Sequence, residues 1–109
     1  MAVMTHAHTR TATEINLSDL ALPVRDDFLD LMNQADSAIT VPEIRLAHAA
    51  AAHLIGLQLP PRGEIAVCSC GCNCLTVFDA DQAHEYDDGY GRTVQCPACA
   101  DDHRGVTAE

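Results

Sequence analysis

The sequence contains no lysine and no tryptophan, and it is poor in basic residues of any kind. Six arginines are its only strongly basic side chains, against sixteen acidic residues, so its formal net charge is −10. The arginines stand singly, whereas surfaces that bind nucleic acids cluster their basic residues. Because this chain would repel a phosphate backbone, we do not expect nucleic acid as a partner.

Long hydrophobic runs are also missing. No stretch of about twenty apolar residues is available to span a membrane. The first residues, MAVMTHAHTRTATE, lack the basic start and apolar run of a secretory signal. We therefore expect a cytoplasmic protein with no membrane partner. In that compartment, paired cysteines favour metal binding or redox chemistry over structural disulfides.

Aromatic residues are few, and this limits the core. The chain has 109 residues with two Phe and two Tyr, so its core has to rest mainly on aliphatic side chains. Small domains of this kind often depend on a bound metal or on disulfides for stability. The six cysteines are the candidates for that role.

Two helices are predicted in the first half of the chain. After Pro23, apolar residues recur at helical spacing: Val24, Phe28, Leu31 and Ala35. A capping box of Thr40 and Glu43 begins the second helix, and Gly56 ends it. Its predicted buried stripe is Ile44, Ala47, Ala51, Leu54 and Ile55. His48 and His53 point to different sides of this helix and are predicted to be surface or boundary residues.

The composition changes across GLQLPPRGE, where a diproline and two glycines indicate a connector. After it come three short β-type runs, EIAV, LTVF and RTVQ, and an acidic segment, DADQAHEYDDGYG, which is predicted to be a loop with one helical turn. The predicted fold class is α+β, with an N-terminal helical hairpin followed by a small zinc-ribbon-like β module. The predicted divisions are a disordered tail (1–14), a helical hairpin arm (15–56), a linker (57–64), a cysteine-rich module (65–105) and a tail (106–109).

All six cysteines fall in two clusters, CSCGCNC at 68–74 and CPAC at 96–99. Two thiolates spaced as Cys-x-x-Cys can bind the same metal ion in tetrahedral geometry, with sulfur–zinc distances of about 2.3 Å. Soft thiolates favour zinc, and the spacings do not match the usual iron–sulfur runs. The clusters therefore predict a Zn²⁺ site.

The first cluster offers four thiols for the two remaining places around one ion. Gly71 predicts a tight turn with a positive φ angle, which would let Cys68 and Cys72 converge on the ion. Cys70 and Cys74 would then serve a second ion or remain spare. A tighter knuckle that uses Cys68 and Cys70 is the alternative.

The segments VCSCGCNC and CPACADDHRG together resemble the cysteine pattern of the bacterial metallothioneins. This resemblance covers residues 67–104, although the spacers between the cysteines are shorter here. It implies the following metal ligands: Cys68, Cys70, Cys72, Cys74, Cys96, Cys99 and His103.

These observations predict a small, non-enzymatic zinc-binding protein in which the zinc is structural. We expect it to act as a regulatory module or by binding another protein. The alternative is a metallothionein-like protein that stores or buffers zinc. A third hypothesis is thiol exchange at Cys96 and Cys99, which would require this Cys-x-x-Cys to open a helix after a strand.

Overall fold

The structure is a computed structural model that describes residues 12–107. Within this range two N-terminal helices precede small antiparallel sheets and a short third helix, so the predicted α+β class is confirmed. The helices are α1 (Leu22–Ser37), α2 (Val41–Ile55) and α3 (Pro97–His103); the strands are β1 (Ile15–Asn16), β2 (Ile65–Val67), β3 (Thr76–Asp79), β4 (His84–Asp87) and β5 (Arg92–Gln95). None of these helices is long and apolar enough to cross a membrane. Most of the predicted N-terminal tail and the last two residues lie outside the described range.

Local capping signals set the bounds of the two long helices, and the predicted signals are confirmed. Pro23 lies in the first turn of α1, where its missing N–H costs no hydrogen bond. At the start of α2 the Thr40 hydroxyl accepts from the Glu43 N–H at 3.3 Å, and the Glu43 carboxylate accepts from the Thr40 N–H at 3.3 Å. Gly56 ends α2 in the left-handed conformation, with φ 76°. The two helices pack against each other.

The strands form two antiparallel sheets; β1 precedes α1, and the other strands follow α2. In the first sheet β3 lies between β1 and β2, and in the second β4 pairs with β5. Each of the three predicted β runs contains a strand. The acidic segment was predicted to be a loop with one helical turn, and that turn is present as the 3-10 helix Ala80–Gln82. The rest of this prediction is wrong at β4, because pairing with β5 overrides the low strand preference of its acidic residues.

The buried side chains form two cores on either side of β3. Val77 and Phe78 are both fully buried, and as neighbours in a strand they point to opposite faces. Val77 belongs to a core of aliphatic and aromatic residues from the helices and the first sheet: Leu17, Phe28, Ala51, Ala52, Ile55, Leu57, Ile65 and Val77. Phe78 belongs to a second core that otherwise consists of Cys68, Cys70, Cys96 and Cys99. The cysteines are therefore themselves core residues.

The buried face of α2 differs from the predicted one. Its buried residues are His48, Ala51, Ala52 and Ile55, while Leu54 is 38% exposed. The prediction that His48 is a surface or boundary residue is wrong, because its Nδ1 accepts a hydrogen bond from the N–H of Ile65 at 3.0 Å. Burial lowers the pKa of His48 despite the nearby carboxylates of Glu64 and Asp36. This bond ties α2 to β2.

Candidate metal centre

The first cysteine cluster is a turn between β2 and β3. The N–H of Asn73 donates to the carbonyl of Cys70 at 3.1 Å, which closes a turn around Gly71 and Cys72. The predicted turn is present, but its predicted conformation is wrong at Gly71, which has no positive φ. Asn73 (φ 57°) and Leu75 (φ 55°) take the left-handed conformation instead. These two residues redirect the chain, so the cluster is not a straight strand.

The second cluster begins a helix. Cys96 is the N-cap of α3, Pro97 lies in the first turn, and Cys99 is on the buried side of the helix. The Cys-x-x-Cys thus follows a strand and opens a helix, which is the arrangement that thiol exchange requires. However, Cys96 is only 2% exposed and burial strongly raises the pKa of Cys99. A buried thiol with a raised pKa is a poor nucleophile.

Backbone hydrogen bonds hold the two clusters together. The N–H of Ser69 donates to the carbonyl of Val94 at 2.8 Å, and the Ser69 hydroxyl accepts from the Val94 N–H at 3.0 Å. The N–H of Cys68 also donates to the carbonyl of Thr76 at 2.8 Å. The sulfur positions are therefore fixed by both sheets. The sequence analysis did not single out Ser69, because only the tertiary fold brings it beside β5.

All six cysteine sulfurs converge. The Sγ–Sγ distances are 3.7 Å for Cys68–Cys70, 3.9 Å for Cys68–Cys99, 2.9 Å for Cys70–Cys72, 3.3 Å for Cys72–Cys99, 3.9 Å for Cys74–Cys96 and 3.6 Å for Cys74–Cys99. Two sulfurs bound to one tetrahedral zinc lie about 3.8 Å apart, given zinc–sulfur bonds of about 2.3 Å. Most of the observed distances are close to that value, so the cluster is close enough to hold a metal ion.

The sulfurs form two overlapping sets of four. Within each set the sulfurs lie within 4.8 Å of one another: the outer set is Cys68, Cys70, Cys72 and Cys99, and the inner set is Cys68, Cys74, Cys96 and Cys99. Cys68 and Cys99 belong to both sets. The sequence analysis had grouped Cys68 and Cys72 with both cysteines of the second cluster. In the structure Cys72 instead contacts Cys70 and Cys99, while Cys96 contacts Cys74.

The two sets differ in their access to solvent. Cys72 in the outer set is exposed, whereas Cys74, which belongs to the inner set alone, is half-buried. The shared pair is enclosed, with Cys68 at 1% and Cys99 at 6% exposure. Solvent therefore reaches the cluster from the outer side.

His103 lies beside the outer set. Its Nε2 is 3.5 Å from the sulfur of Cys70, and its Nδ1 is 3.0 Å from a carboxylate oxygen of Asp102. A carboxylate on one ring nitrogen, with the other nitrogen facing the ligand site, is the usual environment of a metal-binding histidine. The hydrogen bonds to Cys70 and Asp102 raise the pKa of His103. The adjacent acidic residues in CADDH were a signal of this pairing that the sequence analysis did not use.

A buried glutamine fixes the backbone of His103. Gln95 is 1% exposed; its Nε2 donates to the carbonyl of His103 at 3.0 Å, and its Oε1 accepts from the N–H of Gly105 at 2.8 Å. These bonds anchor the end of α3 to β5. Sequence reasoning did not identify Gln95, since no local pattern indicates its partners.

The thiols divide into acidic and weakly acidic members. Burial raises the pKa of Cys70, but hydrogen bonds from Cys72 and His103 outweigh it and lower the pKa to about 6. Burial also opposes ionisation of Cys74, but hydrogen bonds from Thr76 and neighbouring thiols lower its pKa to about 7. Each set thus contains one thiol whose pKa is lowered to near neutral pH without any metal.

The two shared cysteines behave in the opposite way. Burial raises the pKa of Cys68 to about 12, and burial likewise raises the pKa of Cys99. Both are therefore protonated at neutral pH until a metal ion displaces their protons. The donors are soft sulfur atoms, and each of the two sets contains one thiol with a lowered pKa; this combination suits a metal ion that prefers sulfur ligands in tetrahedral geometry.

No protein-family model matches the chain, and comparisons with curated proteins and with solved structures give no significant match. Neither the metallothionein pattern nor the zinc-ribbon pattern gains support from these comparisons. A cluster of four cysteines close enough to bind a metal ion is what the structure shows.

Proposed function

We propose that the protein binds two zinc ions in one six-cysteine cluster and that this cluster fixes the fold of the C-terminal module. The observation that carries the proposal is the overlap of the two four-sulfur sets. Because Cys68 and Cys99 belong to both, six cysteines provide four ligands to each of two ions. Bridging thiolates would lower the repulsion between two adjacent dications. Zinc is the proposed metal because it favours four soft ligands in tetrahedral geometry.

A structural role follows from the composition of the second core. Four of its five buried residues are cysteines and the fifth is Phe78; the partly buried residues around them are small or medium-sized: Ala66, Cys74, Ala83 and Val94. This core offers little apolar area to offset the chain entropy lost on folding. A structural zinc site contributes about 10 to 16 kcal/mol in small zinc domains. Zinc is therefore the main stabilising contribution that this module has available.

We propose that the folded protein acts by binding another protein and that it is not an enzyme. Both thiols of the Cys96–Cys99 pair are buried, and burial raises the pKa of Cys99, which argues against thiol exchange. The cysteine cluster lies in the second core, so the exposed faces of α1 and α2 remain available to contact a partner protein.

Zinc buffering is the second candidate, and one observation favours it. The outer set has an exposed ligand, Cys72, and a fifth donor nearby in His103. Five donors for four places allow one ligand to leave while another replaces it. An ion held in this way exchanges faster than one held by the enclosed inner set.

The metal content decides the main proposal. Native mass spectrometry of the zinc-loaded chain should give two zinc ions per molecule, and one ion as the maximum would contradict the shared cluster. A competing chromophoric chelator then separates the two roles. Slow, cooperative loss of both ions together with unfolding supports the structural role, whereas rapid loss of one ion without unfolding supports buffering.

A further inference from the structure

Pro42, Arg45, Leu46 and Ala49 lie on α2 beside its buried face; the first three are exposed and Ala49 is half-buried. These residues follow each other at steps of three, one and three, so they form one stripe along the helix. The segment 59–63 runs beside this stripe. Between them lies an open groove with a cavity volume of about 680 Å³, within the range of clefts that hold small ligands.

The groove exposes large apolar side chains. Leu46 is 72% exposed and Leu59 is 43% exposed. A second hollow, of about 530 Å³, also borders Leu46; apolar residues such as Leu31, Ala47 and Ala50 line it together with Gln34, Ser37 and Glu43. Leu46 therefore lines two hollows, each of mixed apolar and polar character. Contiguous exposed apolar surface of this kind marks interaction sites in soluble proteins.

The charge of the groove is opposite to that of the protein. Arg45 and Arg62 line it, and no acidic residue does. Among residues 12–107, Arg45 has no carboxylate within 4.0 Å, while Arg62 has only a solvent-exposed contact with Asp81 at 3.4 Å. In a chain of net charge −10, this is a local positive site. Arginine side chains bind carboxylates through paired hydrogen bonds.

One wall of the groove is fixed before any partner arrives. Pro60 is buried, and its carbonyl accepts from the N–H of Gly63 at 2.9 Å, which closes a turn. The two prolines restrict the backbone of this wall further. A preformed wall lowers the entropy lost on binding.

We propose that this groove docks a segment of another protein in which leucine-like side chains lie next to Asp or Glu. The apolar side chains would fill the hollows around Leu46, and the carboxylates would pair with Arg45 and Arg62. This inference rests on the proposed role in protein binding and specifies its surface and the chemistry of the partner.

Fluorescence anisotropy with synthetic peptides tests the proposal. The probe is a fluorescein-labelled helical peptide with Leu at steps of three and four and Glu at the flanking positions; the matched peptide carries Lys in place of Glu. We expect the Glu peptide to bind more tightly than the Lys peptide. Arg45→Glu and Leu46→Asp should each weaken binding at least about tenfold. Arg92→Glu, the same charge change on β5, should leave it within about twofold.

Several results would overturn the inference: no binding of the Glu peptide, equal binding of both peptides, or equal effects of Arg45→Glu and Arg92→Glu. Dimers seen by sedimentation and broken by Leu46→Asp would assign the groove to a second copy of the chain instead. The zinc content of every variant is measured in parallel. Since the groove contains no cysteine, two zinc ions with no peptide binding would refute the docking site and leave the zinc cluster standing, whereas a single ion would refute the cluster.

Discussion

Cys72 and Cys74 belong to the same motif, yet their replacement by serine should have very different effects. Cys72 is exposed and belongs only to the outer set, where the Nε2 of His103 lies 3.5 Å from Cys70. Cys74 belongs only to the inner set. Among residues 12–107, no histidine nitrogen other than that of His103 lies within hydrogen-bond distance of a cluster sulfur. In the proposed two-ion arrangement the outer ion would therefore have a replacement ligand, whereas residues 12–107 offer the inner ion none.

The expected size of the difference follows from the energy of a structural zinc site. About 10 to 16 kcal/mol shared by four ligands is roughly 3 kcal/mol for each. Cys74→Ser should therefore weaken the inner ion by about two orders of magnitude in affinity. Cys72→Ser should weaken the outer ion by less than about tenfold, because the imidazole of His103 closes the site.

Two measurements separate these outcomes. Native mass spectrometry at increasing chelator concentrations gives the number of zinc ions that each variant retains. Cobalt substitution reports the ligands, since exchanging a thiolate for an imidazole moves the visible d–d bands to shorter wavelength. Cys72→Ser should retain two ions and show this shift, whereas Cys74→Ser should retain one. The double variant Cys72→Ser, His103→Ala should lose the outer ion.

The matched control for the double variant is Cys72→Ser with His84→Ala. The Nε2 of His84 lies 2.8 Å from the carbonyl of Gly105, and the ring contacts no cluster sulfur. If both double variants lose the outer ion equally, His103 is no reserve ligand. If Cys72→Ser and Cys74→Ser lose zinc at the same chelator concentration, the division into outer and inner ions is wrong.

Three further predictions follow from the two cores. Removing zinc should collapse the dispersion of the amide signals of residues 68–74 and 84–105 while the helical circular dichroism of α1 and α2 persists, because the first core contains no cysteine; NMR spectra with and without a chelator test this. The pKa of His48 in the folded state is below its ordinary 6.5, so the contribution of His48 to stability is complete above pH 6.5 and is lost as pH falls toward the lowered value. The variant His48→Asn keeps an acceptor for the N–H of Ile65. At equal zinc content, its melting temperature should depend less on pH than that of the wild type. Gly56→Ala should lower the free energy of unfolding, measured by chemical denaturation, by about 1 kcal/mol, because the left-handed φ of 76° disfavours a residue with a Cβ. Ala50→Gly, at an exposed site within α2, is the comparison, and it tests whether a change in helix propensity alone lowers the free energy of unfolding by the same amount.

Features encoded by local sequence were predictable. The capping box at Thr40 and the glycine at position 56 act within a few residues of themselves, so they mark the bounds of α2 correctly. The three β-type runs were recognised for the same reason. β4 was missed because its strand conformation depends on β5, with Glu85 opposite Val94 and an Arg92–Glu85 ion pair beside it.

The grouping of the cysteines required the tertiary structure. An alternating motif places its thiols on one face only if the chain is extended. The turn after Cys70 and the left-handed Asn73 send Cys72 and Cys74 to different sides of the cluster. Which ligands they meet depends on α3, whose position is fixed by contacts such as those of Gln95. The sequence pattern therefore indicated the metal-binding chemistry and left the assignment of the ligands open.

If zinc fixes the second core as proposed, we expect the zinc-dependent region to begin between Val67 and Cys68. Ile65 is held by the first core and by its hydrogen bond to His48, neither of which involves a cysteine. Val67 pairs with Val77 in the first sheet. Cys68, the next residue, is a member of both sulfur sets. Because β3 contributes Val77 to one core and Phe78 to the other, losing zinc removes support from one face of β3 only. The helices and the groove on α2 should therefore persist when the metal is removed.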